Sequence, residues 1–319
     1  MAVRQRVLLT GATGHVGGRL FSHLLAHESV DLRAVVRSPH RLAHFAKNAE
    51  ILGGDLVDQP TRRDALQGVD CVVHLATRGF SSAKPPTEFE LAKEEEVTLH
   101  LVADALRAGV ASLLYLSSIH VYGQALSGDV DDLTPTVPNT LYGHSRQRIE
   151  QGILELAQTT DAQITIVRLT NSFGVPAIPR AETWDLLLHD LCRQVIQSQS
   201  MTLRSDGRVS RDTMALRDVV EVLSQIMTTP ADLGGVCLLA SAHTMQLIDI
   251  AELVQRCARD VLGVDARISA PSSNTVQPPS FLLHPTRLLS AGITIPQNRR
   301  DEICDLLRYA QREFGTTMS

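Results

Sequence analysis

The sequence predicts an α/β fold: a doubly wound parallel sheet with a smaller C-terminal lobe. Three observations lead there. Apolar, strand-like runs alternate with helix-patterned segments through the first half of the chain, the rhythm of βαβ units. Several of those runs are apolar on both faces, as strands covered by helices on either side must be. The first run, Val7-Leu8-Leu9, enters the glycine turn Gly11-Ala12-Thr13-Gly14-His15-Val16-Gly17, and a helical pattern carrying Leu20, Phe21, Leu24 and Leu25 follows at once.

The predicted strands are Val7–Thr10, Leu32–Val36, Glu50–Leu52, Cys71–Leu75, Leu113–Leu116 and Ile164–Val167. Helical patterns lie between them near His15–Ala26, Pro39–Phe45, Phe89–Arg107 and Gly143–Ala157. After Arg168 the alternation breaks. Val175-Pro176-Ala177-Ile178-Pro179 reads as a loop, and helices are expected near Thr183–Gln197, Leu216–Met227, Leu247–Ala258 and Arg299–Phe314. Ser272–Ser280, with Pro278-Pro279, reads as a surface loop. No internal repeat is visible.

The totals exclude several classes. The 319 residues are 44% hydrophobic and 20% charged, a globular composition rather than a disordered or fibrous one. A formal net charge of -5 without a long basic block disfavours a nucleic-acid or anionic-membrane surface. No apolar run reaches the roughly 18 residues needed to span a bilayer, and no leader-like stretch precedes the first strand. The five cysteines (Cys71, Cys192, Cys237, Cys257, Cys304) are scattered and odd in number. They are expected to be reduced thiols of a cytoplasmic protein. Neither they nor the histidines fall at metal-ligand spacing, so no metal site is expected.

The glycine turn carries the first chemistry. Glycines let backbone turn sharply and approach a pyrophosphate, and the helix behind them presents unpaired N–H groups and a positive dipole end. The second strand ends at Arg37, twenty residues after Gly17. An acid there would accept from a ribose 2′-OH, whereas an arginine suits a 2′-phosphate. The expected cofactor is therefore NADP, with NAD as the alternative. Gly54-Asp55-Leu56 follows the third strand and offers a carboxylate near the adenine. The fourth strand ends in Leu75-Ala76-Thr77, small enough in part for backbone to come close to a cofactor.

The second cluster is Ser117-Ser118-Ile119-His120-Val121-Tyr122-Gly123, at the end of the fifth strand. Twenty residues on comes Tyr142-Gly143-His144-Ser145-Arg146. A tyrosine opening a helix with a cation four residues later places both on one helical face. The cation favours phenolate and is expected to lower the phenol pKa. A serine across the site can hold a substrate oxygen.

With these residues in this order, the chain resembles the extended short-chain dehydrogenase/reductases of the nucleotide-sugar epimerase/dehydratase type, whose dinucleotide-binding part is a Rossmann fold. The resemblance covers nearly the whole length. Gly11, Gly14 and Gly17 match the family's Gly-x-x-Gly-x-x-Gly turn, so Thr13, His15 and Val16 are implied cofactor contacts. Asp55 matches its adenine-side aspartate, with Leu56 beside it, and His74-Leu75-Ala76 its strand-four signature. Ser118 falls on the catalytic serine, Tyr142 on the catalytic tyrosine and Arg146 on the catalytic lysine. Arg168-Leu169-Thr170-Asn171-Ser172-Phe173-Gly174 resembles the Arg-x-x-Asn-x-Tyr-Gly segment, and Arg211-Asp212 followed by Asp218-Val219-Val220 resembles the Arg-Asp…Asp-Val-Val segment. Asn171 and Arg211 are thereby implied to meet the diphosphate of a nucleotide-sugar. Residues 1–170 read as the dinucleotide-binding domain, with a returning segment near 212–240. Residues 171–211 and 241–319 read as the substrate-binding lobe.

Three departures from the resembled pattern stand out. Arg146 replaces a lysine; it carries charge and donors but cannot release a proton at neutral pH. Glu94 stands where an asparagine is usual. Ile119 and His120 stand where sugar dehydratases carry an Asp-Glu pair, which argues against a 4,6-dehydratase. His120 is either an acid/base near the substrate or a histidine packed on the sheet end. His23, His27, His40 and His44 read as helix-face residues, and Trp184 as core packing or a pocket wall. The leading expectation is an NADP(H)-linked keto-sugar reductase in which Tyr142 donates the proton. The alternatives are an epimerase working through a transient keto sugar, an enzyme acting on a non-nucleotide carbonyl, and a catalytically weak dinucleotide-binding sensor or assembly subunit. The resemblance also implies a homodimer formed through Glu88–Arg107 and Gly143–Gln158.

Overall fold

The computed structural model describes residues 4–45, 47–77, 85–123, 126–179, 181–228, 233–272 and 278–315. Strands β1 (Gln5–Thr10), β2 (Val30–Val36), β3 (Glu50–Gly53), β4 (Cys71–His74), β5 (Ser112–Ser118), β6 (Gln163–Leu169) and β7 (Gly235–Leu239) form one sheet in the order β7-β6-β5-β4-β1-β2-β3. All neighbours are parallel. The strand order reverses between β1 and β4, where open α/β sheets bind ligands.

The two-residue period of the strands sorts the core onto two faces. Val7 and Leu9 of β1 pack with Leu20, Phe21 and Leu24 of α1 (His15–Leu24). Leu8 points the other way, toward Leu101 and Val102 of a helix at Glu88–Arg107 and Ile149 and Ile153 of one at Leu141–Ala157. A short helix at Gln59–Ala65 precedes these two, so in chain order they are α2 (Gln59–Ala65), α3 (Glu88–Arg107) and α4 (Leu141–Ala157). Every strand predicted from apolar runs is present. The Pro39–Phe45 segment is a 3-10 helix rather than an α-helix.

The remaining helices are α5 (Leu187–Ser198), α6 (Leu216–Thr228), α7 (Leu247–Leu262), α8 (Thr286–Ser290) and α9 (Arg299–Phe314). The helix expected from Thr183 begins at Leu187, after a 3-10 turn at Ala181–Asp185. Helix α6 returns to the sheet: Val219, Val220 and Leu223 share the core of α1. Helices α5, α7 and α9 make a separate core from Leu188, Leu191, Val195, Val254, Ile303 and Leu307. Trp184 belongs there, stacked on Tyr309 at 5.4 Å. Cys192, Cys257 and Cys304, far apart in sequence, meet in that core as buried free thiols. Burial pushes Cys257 up to about 12, so it is an unreactive packing residue.

One carboxylate joins the lobe to the sheet. Glu302 of α9 is fully buried and accepts from Arg19 Nη1 of α1 (3.0 Å), Arg217 Nε of α6 (2.7 Å) and the Val175 amide (3.1 Å). Gly174 makes room for it, since a Cβ there would lie 2.2 Å from Glu302 Oε1.

Candidate active site

The glycine turn is built by contacts that leave no space for side chains. Gly11 has φ +75°, and a Cβ on it would sit 2.5 Å from the Leu75 carbonyl carbon. A Cβ on Gly17 would lie 2.1 Å from the Gly11 carbonyl oxygen. Gly14 is the N-cap of α1 and offers no side-chain cap, so the positive end of the helix dipole meets the turn with no capping side chain. Thr13 and His15 are half-buried at this turn. The turn thus fits a pyrophosphate, by its shape and by its uncapped helix.

Ser118 ends β5 and caps the following 3-10 turn, accepting from the His120 amide at 3.3 Å. Thr140 caps α4 through the Gly143 amide (3.0 Å), and Tyr142 is the helix's second residue. Gly143 lets α4 press on that turn: a Cβ there would stand 2.6 Å from the His120 carbonyl oxygen. The outcome is that Tyr142, near the start of a helix, shares a hydrogen bond with the Ser118 hydroxyl. His120 packs edge-on against Tyr142 at 5.5 Å. Burial, and next the charge of Arg211, hold His120 below its usual range, so it is neutral at neutral pH.

Arg146 lies one turn along α4, fully buried, with its guanidinium 5.0 Å from the Tyr142 ring centroid. Its Nη2 pairs with Glu94 of α3 and its Nη1 donates to the Tyr115 hydroxyl at 3.1 Å. Its Nε is buried without a partner among the described residues. The expectation of a lowered Tyr142 pKa is corrected here. Burial pushes the phenol above its ordinary range; Arg146 pulls it down, and Glu94 pushes it up again. The two departures at 94 and 146, separate oddities in the sequence, are partners in one ion pair.

A second buried pair lies below. Arg168 of β6 meets Glu150 of α4 at 2.7 Å, Glu150 accepts from Ser117 at 2.5 Å, and Arg168 donates to the Tyr122 hydroxyl at 3.0 Å. These groups are enclosed and satisfied, and they brace the end of β5.

From the lobe side comes Arg211, in a two-residue strand at Ser210–Arg211 paired with Met245–Gln246. Its hydrogen bond is to the Ser210 carbonyl at 2.8 Å, and no carboxylate pairs with it among the described residues. Burial lowers its pKa. The neighbouring Asp212 is fully buried and holds the Ser241 amide and hydroxyl (3.1 and 2.7 Å). Asn171 is exposed, and its amide donates to the Asp212 carbonyl at 3.1 Å.

The other expected cofactor contacts are spread along the sheet's C-terminal edge. Arg37 is exposed at the end of β2, with no hydrogen bond or ion pair to a described residue. Asp55 is exposed and accepts from the Val57 amide at 3.1 Å, while Leu56 is buried. Leu75 and Ala76 press on Gly11, and the Thr77 amide bonds the Leu75 carbonyl at 2.8 Å. Sequence reasoning missed the hydrogen-bonded line Thr10–His74–Thr98: Nδ1 of His74 meets Thr10 at 2.6 Å and Nε2 meets Thr98 at 3.0 Å. Polar residues inside two apolar patterns were its one signal. It also missed that His23 and His27 touch, Nε2 to Nε2, at 3.0 Å. Among the described residues no group of three or more His, Cys, Asp or Glu could hold a metal ion, and no helix is long and apolar enough to cross a membrane.

Comparison with known proteins agrees with this fold. Residues 7–236 match the NAD dependent epimerase/dehydratase family. A protein of Bacillus subtilis described as an uncharacterized UDP-glucose epimerase, YtcB, is 24% identical over 315 residues, covering 91% of this chain and 96% of its own. Sterol demethylase protein B of Methylococcus capsulatus is 27% identical, over 89% and 88%. The crystal structure of UDP-glucuronic acid 4-epimerase from Bacillus cereus, in complex with UDP-glucuronic acid and NAD, superposes with a TM-score of 0.81 at 18% identity, covering 97% of this chain and all of that one. The chain belongs to the NAD dependent epimerase/dehydratase family, and it is an enzyme of that kind.

Proposed function

We propose that the chain is an NAD-dependent nucleotide-sugar epimerase working through a transient keto sugar. The observation that carries this reading is Arg211. A half-buried guanidinium without a carboxylate partner among the described residues stands close enough to His120 to depress its pKa, and His120 lies on the Tyr142 ring. This supports an anion-binding group on the same side of the sheet end as the Ser118–Tyr142 hydroxyl pair. Two of the relatives above are named as epimerases, which supports a reaction that returns its hydride instead of consuming it.

In this reading Gly11, Thr13, Gly14, His15, Val16 and Gly17 hold the cofactor pyrophosphate, Asp55 and Leu56 border the adenine, and Leu75, Ala76, Thr77 and Arg146 flank the nicotinamide ribose. The bound nicotinamide supplies the hydride acceptor and donor. Tyr142 takes the proton from the sugar hydroxyl and returns it, and Ser118 holds the same oxygen. Arg211, with Asn171 at the mouth, grips the diphosphate. His120, neutral, shapes the sugar pocket. Incubating the purified enzyme with NAD and a panel of UDP- and dTDP-sugars is expected to yield an epimer with no net accumulation of reduced cofactor. Stoichiometric NADPH consumption would instead establish the reductase. Cofactor binding without any turnover would establish a sensor.

Arg37 favours the reductase reading and separates the cofactors. It leaves no carboxylate for a ribose 2′-OH, so NADP should bind beside NAD, within about tenfold, a difference worth about 1.4 kcal/mol. Arg37→Asp should weaken NADP while sparing NAD, because it sets like charges against a 2′-phosphate. Fluorescence titrations with both cofactors test this; unchanged NADP affinity would remove Arg37 from the site. Arg211→Ala should raise KM for the nucleotide-sugar by about 10- to 150-fold, the worth of a charge-assisted bond of about 1.5–3 kcal/mol, with cofactor affinity unchanged. A wild-type KM would remove Arg211 from the substrate site.

A further inference from the structure

We propose that Glu94 is a positioning residue for Tyr142: it holds the Arg146 guanidinium against the phenol ring and cancels much of its charge there, so that residues 94 and 146 work as one unit. The inference rests on the reading of Tyr142 as the acid/base.

Arg146 is fully buried and its two Nη groups are committed, one to Glu94 and one to Tyr115. Those bonds set the plane of the guanidinium, and that plane lies against Tyr142. Remove the carboxylate and a buried charge is left to the Tyr115 hydroxyl and the Tyr142 ring. The position of Glu94 is itself rigid. Thr87 and Glu90 close a capping box at the start of α3. Further along, a Cβ on Gly152 of α4 would stand 2.7 Å from Leu99 of α3, so the helices are in close contact. One turn beyond Glu94, Thr98 bonds His74, His74 bonds Thr10, and Thr10 accepts from the Ala76 amide at 3.2 Å. Helix α3 therefore sets the cation and braces the backbone beside Gly11 through one set of contacts.

The charge balance follows from the groups that face Tyr142. These are Arg146 from its own helix, Glu94 from α3, Ser118 from β5, and His120 from the 3-10 turn. Tyr115 and His74 stack behind Arg146 at 5.9 Å, and burial holds His74 at about 3, so it adds no charge. Arg146 favours phenolate and Glu94 opposes it. With this arginine and no glutamate, Tyr142 would ionise at lower pH, and the phenolate would hold the proton taken from the sugar less firmly.

Glu94→Gln keeps the shape and an accepting oxygen and removes the charge. In the NAD-saturated enzyme, the ultraviolet tyrosinate signal of Tyr142 should appear at a pH lower by about 1 unit or more. Subtraction of the same titration in Glu94→Gln/Tyr142→Phe isolates that residue from Tyr115, Tyr122 and Tyr309. The ascending limb of the kcat/KM profile should move the same way, and Glu94→Asp, which keeps the charge, should restore the wild-type limb. If Glu94→Gln does not fold, Glu94→Asn/Arg146→Lys replaces the whole pair and should shift the titration in the same direction. An unmoved Tyr142 titration in whichever variant folds overturns the proposal, even where thermal stability falls. The acid/base reading is tested separately: a wild-type rate in Tyr142→Phe would end it, while the titration would still decide the role of Glu94.

Discussion

Tyr142→Phe is expected to lower kcat by about 10²- to 10⁴-fold, the range of a positioned general acid/base, while fold and cofactor affinity persist. The substitution keeps the ring on which His120 packs and over which Arg146 lies, and removes just the hydroxyl that meets Ser118. Ring contacts hold the helix end, whereas in the proposed function the hydroxyl carries the proton, so the substitution separates the two. The measurement is single-turnover formation of the epimer at saturating NAD, beside a cofactor titration of the same preparation. A variant that turns over at the wild-type rate would place the proton transfer elsewhere, with His120 the next group to test. A variant that also loses NAD would show that the hydroxyl serves the cofactor site as well.

Glu302→Ala should cost about 3 kcal/mol of stability, toward the lower end for breaking a buried charge cluster because Arg19 and Arg217 remain partly in water. Three donors lose this acceptor at once, Arg19 from α1, Arg217 from α6 and the Val175 amide, although Arg19 keeps the Val175 carbonyl and Arg217 keeps Asp305. Urea unfolding followed by circular dichroism gives the change as a shift in midpoint at constant slope. A change under about 1 kcal/mol would mean that the apolar core of the lobe holds α9 without the carboxylate. None of these residues touches Tyr142 in the structure, so activity per folded molecule should be retained.

What is legible in the sequence follows from pattern. Strands β1, β4, β5 and β6 carry apolar residues on both faces, as buried parallel strands must, so each shows as a run, while β3 at the sheet edge is only partly buried. Strand β7 is missed although Val236-Cys237-Leu238-Leu239 is such a run, because it lies beyond the point where the strand–helix alternation breaks. Helix α2 is missed because its charge hides a buried Arg62, which spends its donors on the Leu56 and Val57 carbonyls and on Asp104. The meeting of Ser118 with Tyr142 is visible in motif order alone. The Glu94–Arg146 pair is not: its members are on different helices, and each reads singly as an oddity. The sequence misleads on net proton affinity at Tyr142 for the same reason, since burial and a distant glutamate outweigh the near arginine. Long-range charge pairing leaves no period in a chain and emerges once helices are packed.

The Glu302 cluster has a consequence for how the chain is made. Arg19 and Glu302 are 283 residues apart, so on a ribosome the first helix is in place long before its last partner exists. The sheet and its flanking helices can collapse early, through contacts that are mostly between neighbouring βα units. Arg19 and Arg217 must wait, solvated, until α9 emerges to seat the carboxylate. Contacts of such separation slow folding and lengthen the time during which a partly built surface is open to association. The same carboxylate that locks the finished enzyme is therefore among the last of its groups to become available.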